Sequence, residues 1–265
     1  MQLPTLTPDQ YGLVYNMLSL AIAAMFASFA FFVMAQQQVT ARFRPALVMS
    51  SLVVGIAGYH YWRIFESWDH AYDLVNGAYT PSGEAFNDAY RYVDWLLTVP
   101  LLVAELVAVL QLPKAIGGSL TSRLIVATVL MLVTGYVGEV AGDIGTRNVW
   151  GIISSVPFAY IVYVLFVELR KAADGESGEV RHKLLMTQLL LLATWGFYPI
   201  TYGIPVWFGE EALGNAGIVI VQVGYSIADI TAKCGYGLMI YGIARAKMEA
   251  DNEEVPSGAA IRAAA

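Results

Sequence analysis

Seven predominantly apolar runs divide the chain, at about Tyr11–Ala35, Pro45–Phe65, Phe86–Leu112, Leu120–Val140, Val149–Val167, Leu184–Phe208 and Gly214–Ala244. Each is close to the roughly 20 residues that an α-helix needs to cross a bilayer. Lipid offers no partner to a backbone N–H or C=O, so only helices and closed barrels can span it. The runs lack the alternation of barrel strands. The fold class that follows is an all-α membrane protein, a bundle of seven transmembrane helices inserted as a multi-pass protein of the cell membrane. The charged fraction of 14%, against about 25% in soluble domains, agrees. With 265 residues there is room for one domain. Residues 1–247 form the bundle, and 248–265, with Pro256 and Gly258, are expected to be a disordered tail. The first residues carry no Lys or Arg before Tyr11 and do not read as a cleavable signal peptide. Cys234 is the single cysteine, which excludes an intramolecular disulfide.

Basic residues set the expected orientation. Arg42, Arg44, Lys114, Arg123, Arg170, Lys171, Arg181, Lys183, Arg245, Lys247 and Arg262 fall on one side, against a total of 15 Lys and Arg. The positive-inside rule then puts the N-terminus outside and the C-terminus in the cytoplasm. The longest outer connection is acidic, with Glu66, Asp69, Asp73, Glu84 and Asp88, so the net charge of −6 reflects loops and suggests no nucleic-acid partner.

Against this apolar background five charged residues stand out. Lys233 lies near the middle of the last run, where a charge costs roughly 2.5 to 3.5 kcal/mol and needs a partner, a cavity or a covalent role. Asp229 is one helical turn earlier, on the same face. In the third run Arg91, Asp94, Thr98 and Glu105 also share a face, because the 11 residues from Asp94 to Glu105 make about three turns and ~16 Å of rise. A single intramembrane carboxylate can be a structural hydrogen-bond partner. Five charges in two helices are harder to read so, since buried ion pairs stabilise weakly. Carboxyl groups at two depths along one face are what a proton path needs. His60 in the second run, and Trp95, Trp195, Tyr198 and Tyr225, are by themselves equally compatible with core packing.

The runs RYVDWLLTVPLL and ADITAKCGYGL resemble the third and seventh helices of the microbial rhodopsins, and the resemblance extends over all seven runs. It implies that Lys233 carries all-trans retinal as a protonated Schiff base, with Asp94 and Asp229 as counterions. It further implies that Asp94 is the proton acceptor, that Arg91 gates the outer side and that Thr98 hydrogen-bonds near Asp94. The triplet Asp94, Thr98 and Glu105 is similar to that of the outward proton pumps of the proteorhodopsin and xanthorhodopsin groups, in which the glutamate is the proton donor. Sodium and chloride pumps of the family differ at these positions, and sensory members often lack a carboxylic donor. In the pump groups a histidine at the place of His60 hydrogen-bonds the counterion.

WGFYP resembles the family's sixth-helix pocket motif, which implies retinal contacts from Trp195, Tyr198 and Pro199. Alignment of the same kind adds Trp95, Leu102, Met131, Gly135, Ser154, Ser155 and Phe158, with Leu102 at the position where Leu accompanies green absorption. Cys234 should face away from the pocket. Gly151 falls where the haloarchaeal pumps have a tryptophan beside the retinal ring. In the xanthorhodopsin group this glycine opens a fenestration, so a hydroxylated carotenoid antenna is a further partner to test against the simpler reading of close helix packing. The paired glutamates that release protons in haloarchaeal pumps have no clear equivalents: Val221 holds one place, and only Glu210 and Glu211 lie in the nearby loop. Family members commonly assemble as trimers or pentamers, which implies a homo-oligomer. The expected function is a light-driven outward proton pump, a transporter of protons and not an enzyme. A photosensor of the same family, or a retinal-free seven-helix receptor or transporter, are the alternatives.

Overall fold

The computed structural model describes residues 3–208 and 210–254, and seven helical rods run through it. The first is α1, Pro8–Ala35. It begins at a capping box: the Thr7 hydroxyl accepts from the Gln10 N–H at 3.2 Å, while the Gln10 side-chain oxygen accepts from the Thr7 N–H at 3.0 Å. Pro8 in the first turn gives up no helical hydrogen bond. Next comes α2, Arg44–His70, with Pro45 placed in the same way. Six rods are long and apolar enough to cross a membrane by length and composition. The seventh, α2, has the length but carries Arg44, Arg63, Glu66 and Asp69.

Two short strands that the apolar pattern did not suggest follow α2. They are β1, Tyr72–Val75, and β2, Ala78–Pro81, paired antiparallel. Asn76 and Gly77 form the turn with φ of 50° and 83°, the left-handed conformations that a two-residue hairpin loop requires. Leu6 pairs with Tyr79 at the hairpin, and the Tyr11 ring stacks on Tyr79 with centroids 3.7 Å apart.

The third to fifth rods are α3, Tyr90–Leu110, α4, Lys114–Glu139, and α5, Ile144–Asp174. Asp143 caps α5 by accepting from the Thr146 N–H at 2.8 Å, and bonds to that segment hold its carboxyl below the ordinary range. The sixth rod is broken at Gly196 into α6, Gly178–Trp195, and α7, Phe197–Phe208. The last comprises α8, Glu210–Asp229, a π-helical turn over Ile230–Gly235, and α9, Tyr236–Ala250. Gly214, at φ 47° and ψ −140°, breaks the helical path inside α8.

The bundle has a hairpin end and a tail end. At the hairpin end the Asn215 side chain donates to the Thr5 carbonyl at 2.6 Å. At the tail end Lys247 pairs with Glu176 at 3.3 Å, and Arg42 pairs with Asp251 and Glu253. Here the expected domain boundary moves. Residues 248–254 are not a loose tail: Met248 is buried and the Thr40 hydroxyl donates to Glu253 at 2.9 Å. Residues 255–265 lie outside those described.

The usual distribution of polarity is inverted. Leu20, Phe26, Val126, Val156, Leu189 and Ile220 are exposed on the outside of the bundle. Arg91, Asp94, Glu105, Asp229 and Lys233 are buried inside it. That arrangement suits a lipid surround, where apolar surface costs nothing and charges must find partners in the interior.

Candidate functional site

On α3 the helical period brings Arg91, Asp94, Thr98, Leu102 and Glu105 to the buried face. Across from them the π-helical turn carries Lys233, and such turns frequently mark functional positions. Lys233 Nζ lies 2.8 Å from Asp229 Oδ1 and 2.9 Å from Asp94 Oδ2.

The two carboxylates differ in what else surrounds them. Asp229 accepts hydrogen bonds from Tyr198 at 2.5 Å, Tyr61 at 2.8 Å and the Trp95 indole at 3.3 Å. Asp94 has Lys233 beside it as an ion pair, and among the described residues no neutral side chain donates to its oxygens. The Thr98 hydroxyl donates to the backbone carbonyl of Asp94, at 2.9 Å, and not to its carboxylate. His60 also departs from expectation: its Nδ1 is 3.0 Å from the Ile56 carbonyl and 3.9 Å from Asp94 Oδ1, within ion-pair range but beyond a hydrogen bond. The helical register of α2 offers the ring a backbone acceptor one turn away, and that contact wins.

Arg91 holds the hairpin side of the cluster. Its guanidinium donates to Asp88 at 2.7 Å, Tyr61 at 2.9 Å and Gln222 at 2.6 Å, and lies 3.9 Å from Asp229. On the tail side Glu105 receives one hydrogen bond, from the Ser50 hydroxyl at 2.7 Å, and its other oxygen has no partner. No cation pairs with it among the described residues.

Lys233 closes one end of an apolar cavity. Every pocket position expected from the sequence is on its wall: Trp95, Leu102, Met131, Gly135, Ser154, Ser155, Phe158, Trp195, Tyr198 and Pro199, together with Gly151. The wall also includes Tyr92, Val99, Leu132, Tyr202, Tyr225 and Ala232. Trp95 meets Tyr198 edge-on at 5.2 Å and Tyr225 at 5.5 Å, so aromatic faces enclose the slot. Cys234 points away, with Sγ 3.4 Å from Met25 Sδ. At Gly151 the structure favours close packing: a Cβ there would meet the Tyr202 ring at 2.6 Å, and the Tyr202 hydroxyl donates to the Arg147 carbonyl.

Sequence reasoning missed Tyr61, Ser50 and Gln222 as members of the site. Gln222 stands eleven residues before Lys233, the same spacing as Asp94 and Glu105, which was the available signal. The side chains of Glu210 and Glu211 lie outside those described.

A slot of aromatic and apolar side chains, closed by a buried lysine between two carboxylates, defines a seven-helix membrane protein built to hold an elongated apolar group next to a cation. Comparison with known proteins gives the family. Residues 13–247 match the family described as bacteriorhodopsin-like protein. The chain is 31% identical over 229 residues to green-light absorbing proteorhodopsin from Gamma-proteobacterium EBAC31A08, an alignment covering 85% of this chain and 84% of that one. It superposes on the crystallographic structure of xanthorhodopsin, described as a light-driven ion pump with dual chromophore, with a TM-score of 0.90 and 52% identity, covering 96% of this chain and 100% of that one. For thermophilic rhodopsin the TM-score is 0.88 and the identity 52%, covering 94% and 99%.

The chain belongs to the bacteriorhodopsin-like family. It is a microbial rhodopsin, a multi-pass protein of the cell membrane and a light-driven proton pump rather than an enzyme. Membership implies a retinal chromophore, and the cavity fits one: it is apolar, it is walled by aromatic rings, and the amine of Lys233 opens onto it.

Proposed function

We propose that this protein pumps protons outward, from the tail end of the bundle in the cytoplasm to the hairpin end outside. The observation that carries the reading is the placement of Lys233 between Asp94 and Asp229, with Glu105 on the same α3 face. Lys233 Nζ would hold all-trans retinal as a Schiff base, and the bound group supplies light absorption, double-bond isomerisation and a proton-carrying nitrogen at the Nζ position.

The chain's own residues divide the remaining work. Hydrogen bonds to a carboxylate stabilise its charged form. Asp229 has three from neutral side chains and stays the fixed counterion, while Asp94 has Lys233 as its one side-chain partner within hydrogen-bonding distance among the described residues and accepts the proton. Thr98 bonds the Asp94 backbone, and the His60 ring stands 3.9 Å from its carboxylate. Arg91 bars direct passage toward the hairpin end. Glu105 has a hydroxyl donor and, among the described residues, no cation, and burying an unpaired charge costs far more than burying a neutral acid. It therefore suits the role of proton donor on the cytoplasmic side.

Illumination of cells holding the retinal-loaded protein should acidify the medium, and a protonophore should abolish the signal. A response that required sodium or chloride, or a slow photocycle with no sustained pH change, would favour another ion or a sensory role. Glu105 speaks against the sensory reading.

A carotenoid antenna is a second reading, supported by the 52% identity to xanthorhodopsin and by Gly151 on the cavity wall. Tyr202 fills the space over Gly151 and would have to turn for a polyene to approach. Adding hydroxylated carotenoids and recording the action spectrum of pumping tests it. An unchanged spectrum leaves Gly151 as the seat of Tyr202. Homo-oligomer formation is read from the mass of the protein extracted in mild detergent.

A further inference from the structure

The acceptor Asp94 is buried, so the proton needs a way out through the Arg91 layer. That layer is a connected set of bonds. The Tyr61 hydroxyl donates to Asp229 and accepts from Arg91 Nη1; Arg91 Nη2 donates to Gln222 Oε1 and Nε to Asp88 Oδ1; Gln222 Nε2 donates to Asp88 Oδ2 at 3.0 Å. Both oxygens of Asp88 are thus tied to the network that begins at Asp229, the counterion that shares Lys233 with Asp94. Arg91 itself is 2% exposed, whereas the Asp88 side chain is 32% exposed. Asp88 is the carboxylate of this network at which it reaches the surface.

We infer that Asp88 is the exit carboxylate of the pump: it takes the proton that leaves Asp94 and passes it to the outer medium. The inference rests on the outward-pump reading. The step is proton transfer alone. The Asp94 carboxyl loses its proton, the Asp88 carboxylate gains it and then loses it to water, and both groups end as they began. Gln222 makes the arrangement workable. It bonds Asp88 and Arg91 together without adding charge, so a proton arriving at Asp88 weakens one ion pair and leaves Arg91 held by Tyr61 and Gln222.

The charged and titratable groups facing Asp88, which lies in the turn before α3, are Arg91 from the first turn of α3, Tyr61 from α2 through Arg91, Tyr225 from α8 and Glu139 from α4, the last paired with Arg147 of α5 at 2.9 Å. Glu139 is the competing exit. Its partner Arg147 is bonded to Tyr202 and the Tyr202 backbone, and no described hydrogen bond joins the pair to the counterions.

The test uses the full chain with retinal in detergent or lipid vesicles, a laser flash, and a pH-indicator dye in the outer medium. For Asp88→Asn the dye response should lag deprotonation of Asp94 at least roughly tenfold more than in the unaltered protein, the scale of losing a positioned acid–base group. The pH dependence of that lag should flatten, and Asp88→Glu should restore both. Lag and pH profile unchanged in Asp88→Asn would overturn the assignment and pass it to Glu139→Gln. If Asp88→Asn yields no visible band, Gln222→Leu is read instead: a shifted pH profile of release supports Asp88, and an unmoved one overturns it. An unaltered protein that gives a normal visible band but no proton signal of either sign would overturn the pump reading itself, a result distinct from a pump whose release ignores Asp88.

Discussion

Lys233 and the acids around it carry separable burdens, and substitution should separate them. Lys233→Ala removes the amine on the cavity wall, so the protein should bind no retinal covalently and show no visible band after reconstitution. Glu105→Gln keeps the Ser50 contact and removes the proton. Acceptor protonation should be unchanged in flash spectroscopy, while recovery of the resting state slows on the order of a hundredfold and becomes dependent on medium pH. These residues could be read in the sequence because a charge within an apolar run has no ordinary explanation. Tyr61, Ser50 and Gln222 could not, because neutral polar side chains in a membrane helix are as often bonded to their own backbone, as Thr187 and Ser226 are here. His60 shows the limit of resemblance. The position is as expected, but its ring finds the Ile56 carbonyl before it reaches the counterion.

At the scale of elements, glycines decide two local geometries. Gly77 has φ 83°, a conformation that costs an L side chain roughly 1 to 2 kcal/mol. Gly77→Val should loosen the hairpin, seen as faster proteolysis of the α2–α3 connection with the visible band retained. Gly151→Trp meets a different obstacle, the Tyr202 ring. It should lower the yield of the retinal-bound form, and combining it with Tyr202→Ala should recover much of that yield; equal loss in both variants would place the clash elsewhere. The long helices were legible because their length and apolarity are set by the bilayer. The hairpin was not: its strands have four residues each, too few for an alternating pattern to show, although the Asn76-Gly77 pair was a turn signal in plain view. The helical turn past Lys247 was hidden for a similar reason, since what orders it is Arg42 and Thr40, more than 200 residues away in the chain.

For the whole molecule, the proposed outward pumping needs the tail end in the cytoplasm, an orientation open to a direct check. A protease site added after residue 254 should be cut in inside-out vesicles and protected in intact cells, and the reverse result would invert the direction of pumping proposed above. The π-helical turn at Ile230–Gly235 has a further consequence for this architecture. It winds one more residue into a turn than an α-helix does, so α8 and α9 are two lengths of one rod set out of step by about 100°. The hairpin half of the bundle packs around Leu18, Met25 and Trp68, the tail half around Leu106, Leu165 and Ile240. The turn lets each half keep its own rotational phase. Removing Thr231 would force the rod into a single phase, and the two halves of the core would then no longer be in register at once: either Lys233 swings off the axis of the cavity, or Ile240 and Ile243 rotate out toward lipid.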